Sequence, residues 1–221
     1  MSENRSVDQS IITRNSIVAV LVIDAVDAAV PTAQALARGG VMSIELTLRT
    51  DVALDAIREI KAGVPGMTVG AGTLIFPEQV QAVVDAGADF GVAPGFLPSV
   101  AEAAVDAGLP FAPGIAVPSD VEGALSIGFR VLKFYPAEPM GGLRYLTAMS
   151  APYAHLGLRF VPLGGVNMLN LESYLSSPLV GAVGGSWIAS RELINAADWR
   201  QIETNAREAT ALAARIKAVT E

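Results

Sequence analysis

Short apolar, β-branched runs alternate with Ala-rich amphipathic stretches, glycines close the stretches just ahead of the runs, and the unit recurs every roughly 20–27 residues. These three observations predict an α/β fold: a single (β/α)8 TIM barrel with an extra N-terminal segment, expected to be helical.

Strands are expected at residues 17–23, 42–46, 68–71, 90–93, 111–113, 131–134, 159–163 and 180–183. They are apolar at nearly every position, as parallel strands covered on both faces must be. Helical patterns lie between them at 27–38, 51–61, 77–85, 98–106, 118–127 and 169–175, and a long one at 197–218 closes the chain. Gly39-Gly40, Asp85-Ala86-Gly87, Asp106-Ala107-Gly108 and Ser126-Ile127-Gly128 each end a helix before a strand, where glycine supplies a left-handed C-cap. Pro77, Pro98 and Pro118 each open a helix, where a missing N–H costs nothing. About eight strand–helix units fit without a linker or break in composition, so residues 1–221 read as one domain. The competing arrangement is an open doubly wound sheet; no dinucleotide fingerprint follows the first strand, which favours the barrel.

Composition narrows the function. The chain has 221 residues, 52% of them apolar and 17% charged, a globular balance. Fifteen Lys and Arg against 22 Asp and Glu give a formal charge of −7, with no basic cluster, so nucleic acid and anionic membrane are poor partners. An anionic substrate would need a few placed Arg or Lys and backbone N–H groups. There is no cysteine and a single histidine, His155, which removes disulfides, Cys-based redox chemistry and His-rich zinc sites. Residues 1–16 are polar with no signal-peptide pattern, and the apolar run at 17–23 is far short of the ~18 residues of a membrane span. A cytoplasmic location is expected.

Charged residues inside apolar strands need explaining, because an unpaired buried charge is costly. In Ile44-Glu45-Leu46-Thr47-Leu48-Arg49, alternation places Glu45, Thr47 and Arg49 on one face and the aliphatic residues on the other. In Val131-Leu132-Lys133-Phe134, Lys133 shares the inward parity of Val131. An amine must be neutral to attack a carbonyl, and burial favours the neutral form. That points to Schiff-base chemistry, with Glu45 as the carboxylate able to pair with the lysine or relay protons. Gly164-Gly165 and Gly184-Gly185-Ser186 end the last two strands, where barrels often hold phosphate against backbone N–H groups. Gly70-Ala71-Gly72-Thr73 and Pro94-Gly95 end the third and fourth, leaving room for a ligand.

Taken together, Gly39-Gly40-Val41 leading to Glu45-Leu46-Thr47-Leu48-Arg49-Thr50, then Val69-Gly70-Ala71-Gly72-Thr73, Lys133-Phe134-Tyr135-Pro136-Ala137-Glu138, Gly164-Gly165 and Gly184-Gly185-Ser186-Trp187 resemble the 2-keto-3-deoxy-6-phosphogluconate (KDPG)/4-hydroxy-2-oxoglutarate aldolase family. The resemblance implies a class I aldolase needing no metal or cofactor and assembling as a homotrimer. It assigns the imine to Lys133, proton transfer to Glu45, the pyruvyl carboxylate to Arg49 and Thr73 near the Pro94 turn, and the phosphate to Gly164, Gly165, Gly185 and Ser186. The implied ligands are a phosphorylated keto acid and pyruvate. Leu163 stands where the family commonly has threonine, and Ala19 where it usually has proline. An aliphatic residue at 163 bears on the epimer accepted, so 2-keto-3-deoxy-6-phosphogalactonate and 4-hydroxy-2-oxoglutarate stay open as substrates. Other readings are a phosphate-binding isomerase or decarboxylase and a barrel that has become a binding module; the intact Glu45/Lys133 pair argues against the last.

Overall fold

The structure is a computed structural model that describes residues 7–220. A single helical turn, α1 (Ser10–Thr13), precedes the first strand; residues 1–6 of the expected N-terminal helical segment lie outside the described residues. The strands are β1 (Ile17–Leu21), β2 (Ser43–Thr47), β3 (Thr68–Gly72), β4 (Phe90–Val92), β5 (Phe111–Ala112), β6 (Gly114–Ile115), β7 (Val131–Phe134), β8 (Arg159–Pro162) and β9 (Val183–Gly185). The helices that follow are α2 (Ala29–Arg38), α3 (Ala53–Gly63), α4 (Glu78–Asp85), α5 (Pro98–Asp106), α6 (Pro118–Ile127), α7 (Gly142–Ser150), α8 (Leu171–Leu175), α9 (Arg191–Asn195) and α10 (Trp199–Thr220).

Every strand pairing is parallel. The strands form a six-stranded sheet, β5-β4-β3-β2-β1-β9, and a three-stranded one, β6-β7-β8. The division falls at Pro113, between β5 and β6, because proline has no N–H to give to a ladder. Hydrogen bonds still cross there: the Lys133 N–H donates to the Pro113 carbonyl at 2.9 Å and the Gly114 N–H to the Gly95 carbonyl at 3.2 Å. On the far side, Phe160 of β8 makes a lone parallel bridge with Val180.

The punctuation behaves as its chemistry requires. Gly40, Gly87, Gly108 and Gly128 all have positive φ at helix ends, and Pro98 and Pro118 open α5 and α6. The last strand departs from expectation. It lies at Val183–Gly185, not 180–183, and Val180 takes part only in the lone bridge. Glycines weaken a strand pattern, so a propensity reading stops where the glycines begin. Here Ile17 and Ala19 of β1 recruit Val183 and Gly185 in register. Helix α7 was not expected; Gly141-Gly142 at its start masks an amphipathic turn that buries Leu146 and Met149.

Two apolar layers result. The larger packs the outward faces of the strands against the helices, with Ile44, Leu46, Leu132, Phe134 and Phe160 buried against Leu36, Ile57 and Val121. The smaller gathers the inward-facing residues Val18, Phe90, Val92, Val131, Val161 and Leu163, with Ile12 of α1 added. Gln9 seals the join between β5 and β7. Its amide nitrogen donates to the carbonyls of Phe111 and Val131, and its oxygen accepts from the N–H groups of Arg130 and Val131. No helix of the described residues is long and apolar enough to cross a membrane.

Candidate active site

Glu45 is inward-facing on β2 and Lys133 inward-facing on β7, as alternation predicts. Their side chains meet across the interior: Lys133 Nζ lies 2.8 Å from Glu45 Oε1, with side chains 7% and 4% exposed. At this burial a lone charge of either sign would be strongly disfavoured, so each is there because the other is. The space for the carboxylate comes from Gly72, the partner of Thr47 in the β2–β3 register. A methyl group at position 72 would overlap the Glu45 carboxylate.

The pair borders a cavity of about 230 Å³ lined by Val20, Glu45, Thr47, Arg49, Thr73, Lys133, Tyr135, Leu163, Gly164, Gly185 and Ser186. Apart from Glu45, midway along β2, they lie near or just beyond the C-terminal ends of β1, β2, β3, β7, β8 and β9. Arg49 is steered by a short relay: its Nε donates to Thr47 Oγ1 at 3.3 Å, and that hydroxyl donates to the Leu21 carbonyl at 3.0 Å. Thr73 has φ +65°, a left-handed conformation that a β-branched residue adopts only under constraint and that clusters at functional sites.

Two expected residues do not line this cavity. Pro94 is not among its lining residues; its carbonyl fills the space a side chain at Gly114 would need. Gly165 likewise lies outside the lining, and the position of its missing side chain is taken by Glu138. The other glycines are also set by packing: Gly184 makes room for Leu163, and Gly185 lies under the Trp187 ring. Glycine at these strand ends therefore serves close packing first, and backbone access to a ligand follows from it.

Val20 and Tyr135 line the cavity without having been singled out as site residues. Both carried a signal: Val20 shares the inward parity of Val18, and Tyr135 that of Lys133. The Tyr135 ring lies with its centroid 5.7 Å from Lys133 Nζ and caps the lysine from the open side.

A buried lysine, a carboxylate touching it, a nearby arginine and small residues at two strand ends are what a carbonyl-directed amine needs. The family described as "KDPG and KHG aldolase" matches residues 8–205. The chain belongs to this aldolase family. It is 40% identical over 201 residues to the KHG/KDPG aldolase of Escherichia coli K12, covering 91% of this chain and 93% of that one. It is 41% identical over 189 residues to the 2-dehydro-3-deoxy-phosphogluconate aldolase of Treponema pallidum, covering 86% and 89%. Among solved structures, the KDPG aldolase of Legionella pneumophila superposes with a TM-score of 0.85 at 36% identity, covering 90% of this chain and 96% of that one. That enzyme was captured with pyruvate as a covalent carbinolamine. The Zymomonas mobilis ZM4 enzyme, solved with 3-phosphoglycerate, gives 0.84 at 36% identity, covering 92% and 94%.

Proposed function

We propose that this aldolase cleaves 2-keto-3-deoxy-6-phosphogluconate to pyruvate and glyceraldehyde 3-phosphate through a Schiff base on Lys133. The observation that carries the reading is the buried 2.8 Å contact of Lys133 Nζ with Glu45 Oε1 on the cavity wall. The ammonium proton passes along this hydrogen bond to Glu45, freeing the amine to attack the keto carbon. The same proton then leaves with the carbinolamine hydroxyl as water, and a protonated imine remains. Glu45, again a carboxylate, accepts the C4 hydroxyl proton. The C3–C4 bonding pair moves into the imine, glyceraldehyde 3-phosphate departs and an enamine is left. Protonation at C3 and hydrolysis release pyruvate and restore Lys133.

Arg49 and Thr73 take the carboxylate, Arg49 as a two-pronged donor. Gly164, Gly185 and Ser186 take the phosphate, while Gly165 and Pro94 shape the seat from behind. The carbinolamine in the Legionella enzyme and the phosphorylated ligand of the Zymomonas enzyme support these roles. Leu163 favours a second substrate reading. Only 5% exposed and on the cavity wall, it offers the substrate's C4 region no hydroxyl. Acceptance of 2-keto-3-deoxy-6-phosphogalactonate or 4-hydroxy-2-oxoglutarate would follow.

The finer architecture belongs to the same proposal. The two sheets are arcs of one closed (β/α)8 barrel, a single domain over residues 1–221; the hydrogen bonds across Pro113 and the Phe160–Val180 bridge support this. The protein works without a cofactor as a cytoplasmic homotrimer. Ile75, Phe76, Leu97 and Val117, exposed on loops following β3, β4 and β6 at the cavity end, supply apolar surface for that contact.

Treatment with pyruvate and borohydride, followed by intact mass, tests the mechanism. Wild type gains one reduced pyruvyl group and Lys133→Ala gains none; an adduct that survives in Lys133→Ala overturns it. Cleavage rates on the three candidate substrates then decide between the substrate readings.

A further inference from the structure

Beside the catalytic cavity lies a second one, of about 270 Å³, lined by Val20, Val22, Arg49, Ser186, Ser190, Arg191 and Glu192. The two share Val20, Arg49 and Ser186, so they are lobes of one cleft. Charge accounting across that cleft exposes a deficit. The lining side chains of the catalytic lobe carry two cations, Lys133 and Arg49, and one anion, Glu45. In the proposed reaction Lys133 is consumed by the imine and Arg49 by the carboxylate. A phosphate, with close to two negative charges at neutral pH, would then meet only glycine N–H groups and the Ser186 hydroxyl.

The remaining cation lining the cleft is Arg191, just across the Ser186 wall. It is well placed to act without refolding. Its Nε and Nη2 donate to the two carboxylate oxygens of Asp24 at 2.7 and 2.5 Å, and Asn195 Nδ2 donates to the same carboxylate at 2.9 Å. Nη1 has no partner among the described residues. The Arg191 and Asn195 hydrogen bonds hold the Asp24 carboxyl down to about 2, so Asp24 keeps Arg191 oriented across the neutral range. The acidic group in the lobe, Glu192, is held below the usual carboxylate range by its own N–H, by the Ser190 hydroxyl and by the neighbouring Arg191 charge.

Resting on the aldolase reading, the geometry points to Arg191 as the side-chain cation for the substrate's terminal phosphate, making the Ser186–Ser190–Arg191 lobe a specificity element for phosphorylated keto acids. Asp24 is then a positioning residue for Arg191.

The test uses the full chain with Arg191→Ala and Arg191→Lys. Arg191 is a surface position at the start of α9, so folding is preserved and circular dichroism checks it. Arg191→Ala is expected to raise KM for the phosphorylated substrate about tenfold, the worth of one charge-assisted hydrogen bond near solvent, with kcat nearly unchanged. KM for the unphosphorylated 2-keto-3-deoxygluconate stays the same, and Arg191→Lys recovers part of the loss. Equal rises for both substrates, or no rise for either, overturn the assignment. Titration with inorganic phosphate, followed by NMR, reads the lobe independently of turnover: binding must weaken in Arg191→Ala, and wild-type-like binding in that variant, or none in wild type, overturns the proposal. Absence of a pyruvate adduct in wild type would count against the aldolase reading alone, because the phosphate titration does not depend on it.

Discussion

Glu45 and Lys133 are 88 positions apart in the chain and touch at 2.8 Å. What lets them do so is an absent atom. Gly72 has no side chain, and the Glu45 carboxylate occupies the place one would fill. Gly72→Ala should push that carboxylate aside while leaving Lys133 on its own strand. Turnover is expected to fall about 10- to 100-fold, the scale of small displacements of a catalytic group, with pyruvate still trapped by borohydride. Wild-type turnover in Gly72→Ala would show that the seat is dispensable. Thr73, next in sequence, keeps its strained backbone at the cavity edge, and Leu163 gives the same cavity an apolar side chain.

At the scale of elements, one break in the strand ladder lies where Pro113 interrupts it, and the chain reinforces it from an unexpected direction. Gln9, ahead of the one-turn α1, satisfies backbone groups of Phe111, Arg130 and Val131 from a position only 8% exposed. Replacing it with alanine strands those groups in the interior. Gln9→Ala is expected to cost about 1–3 kcal/mol, read as a lower urea midpoint with an unchanged slope. An unchanged midpoint would mean that other partners replace the amide. The segment before β1 thus serves as a bottom plug for the inward-facing core, with Ile12 packed beside it.

At the scale of the molecule, the inward layer is small and the outward layer large. Stability resides mainly between strands and helices, which leaves the strand ends free to carry chemistry. Those ends also carry exposed apolar loops, Phe76 being 53% exposed. If the homotrimer forms through them, Phe76→Asp should shift the mass measured by light scattering from trimer to smaller species, while Lys133 still takes pyruvate. A monomeric wild type, or a trimer unaffected by this change, would place any assembly surface elsewhere.

Local chemistry determined much of this protein directly. Parity along 44–49 and 131–134 set which face Glu45, Arg49 and Lys133 occupy, and glycine and proline set most helix ends, because both depend only on neighbours in the chain. Other features were decided only by tertiary structure. The last strand slid onto Val183–Gly185 because β1 offered it a ladder that glycine propensity could not foretell. The space beside Gly165 is taken by Glu138 and that beside Gly114 by the Pro94 carbonyl, because what fills the space beside a glycine can be a residue distant in sequence. The second lobe and its Asp24–Arg191 pair join residues 167 positions apart. No periodicity records such a pairing, since it exists only once β1 and β9 lie side by side.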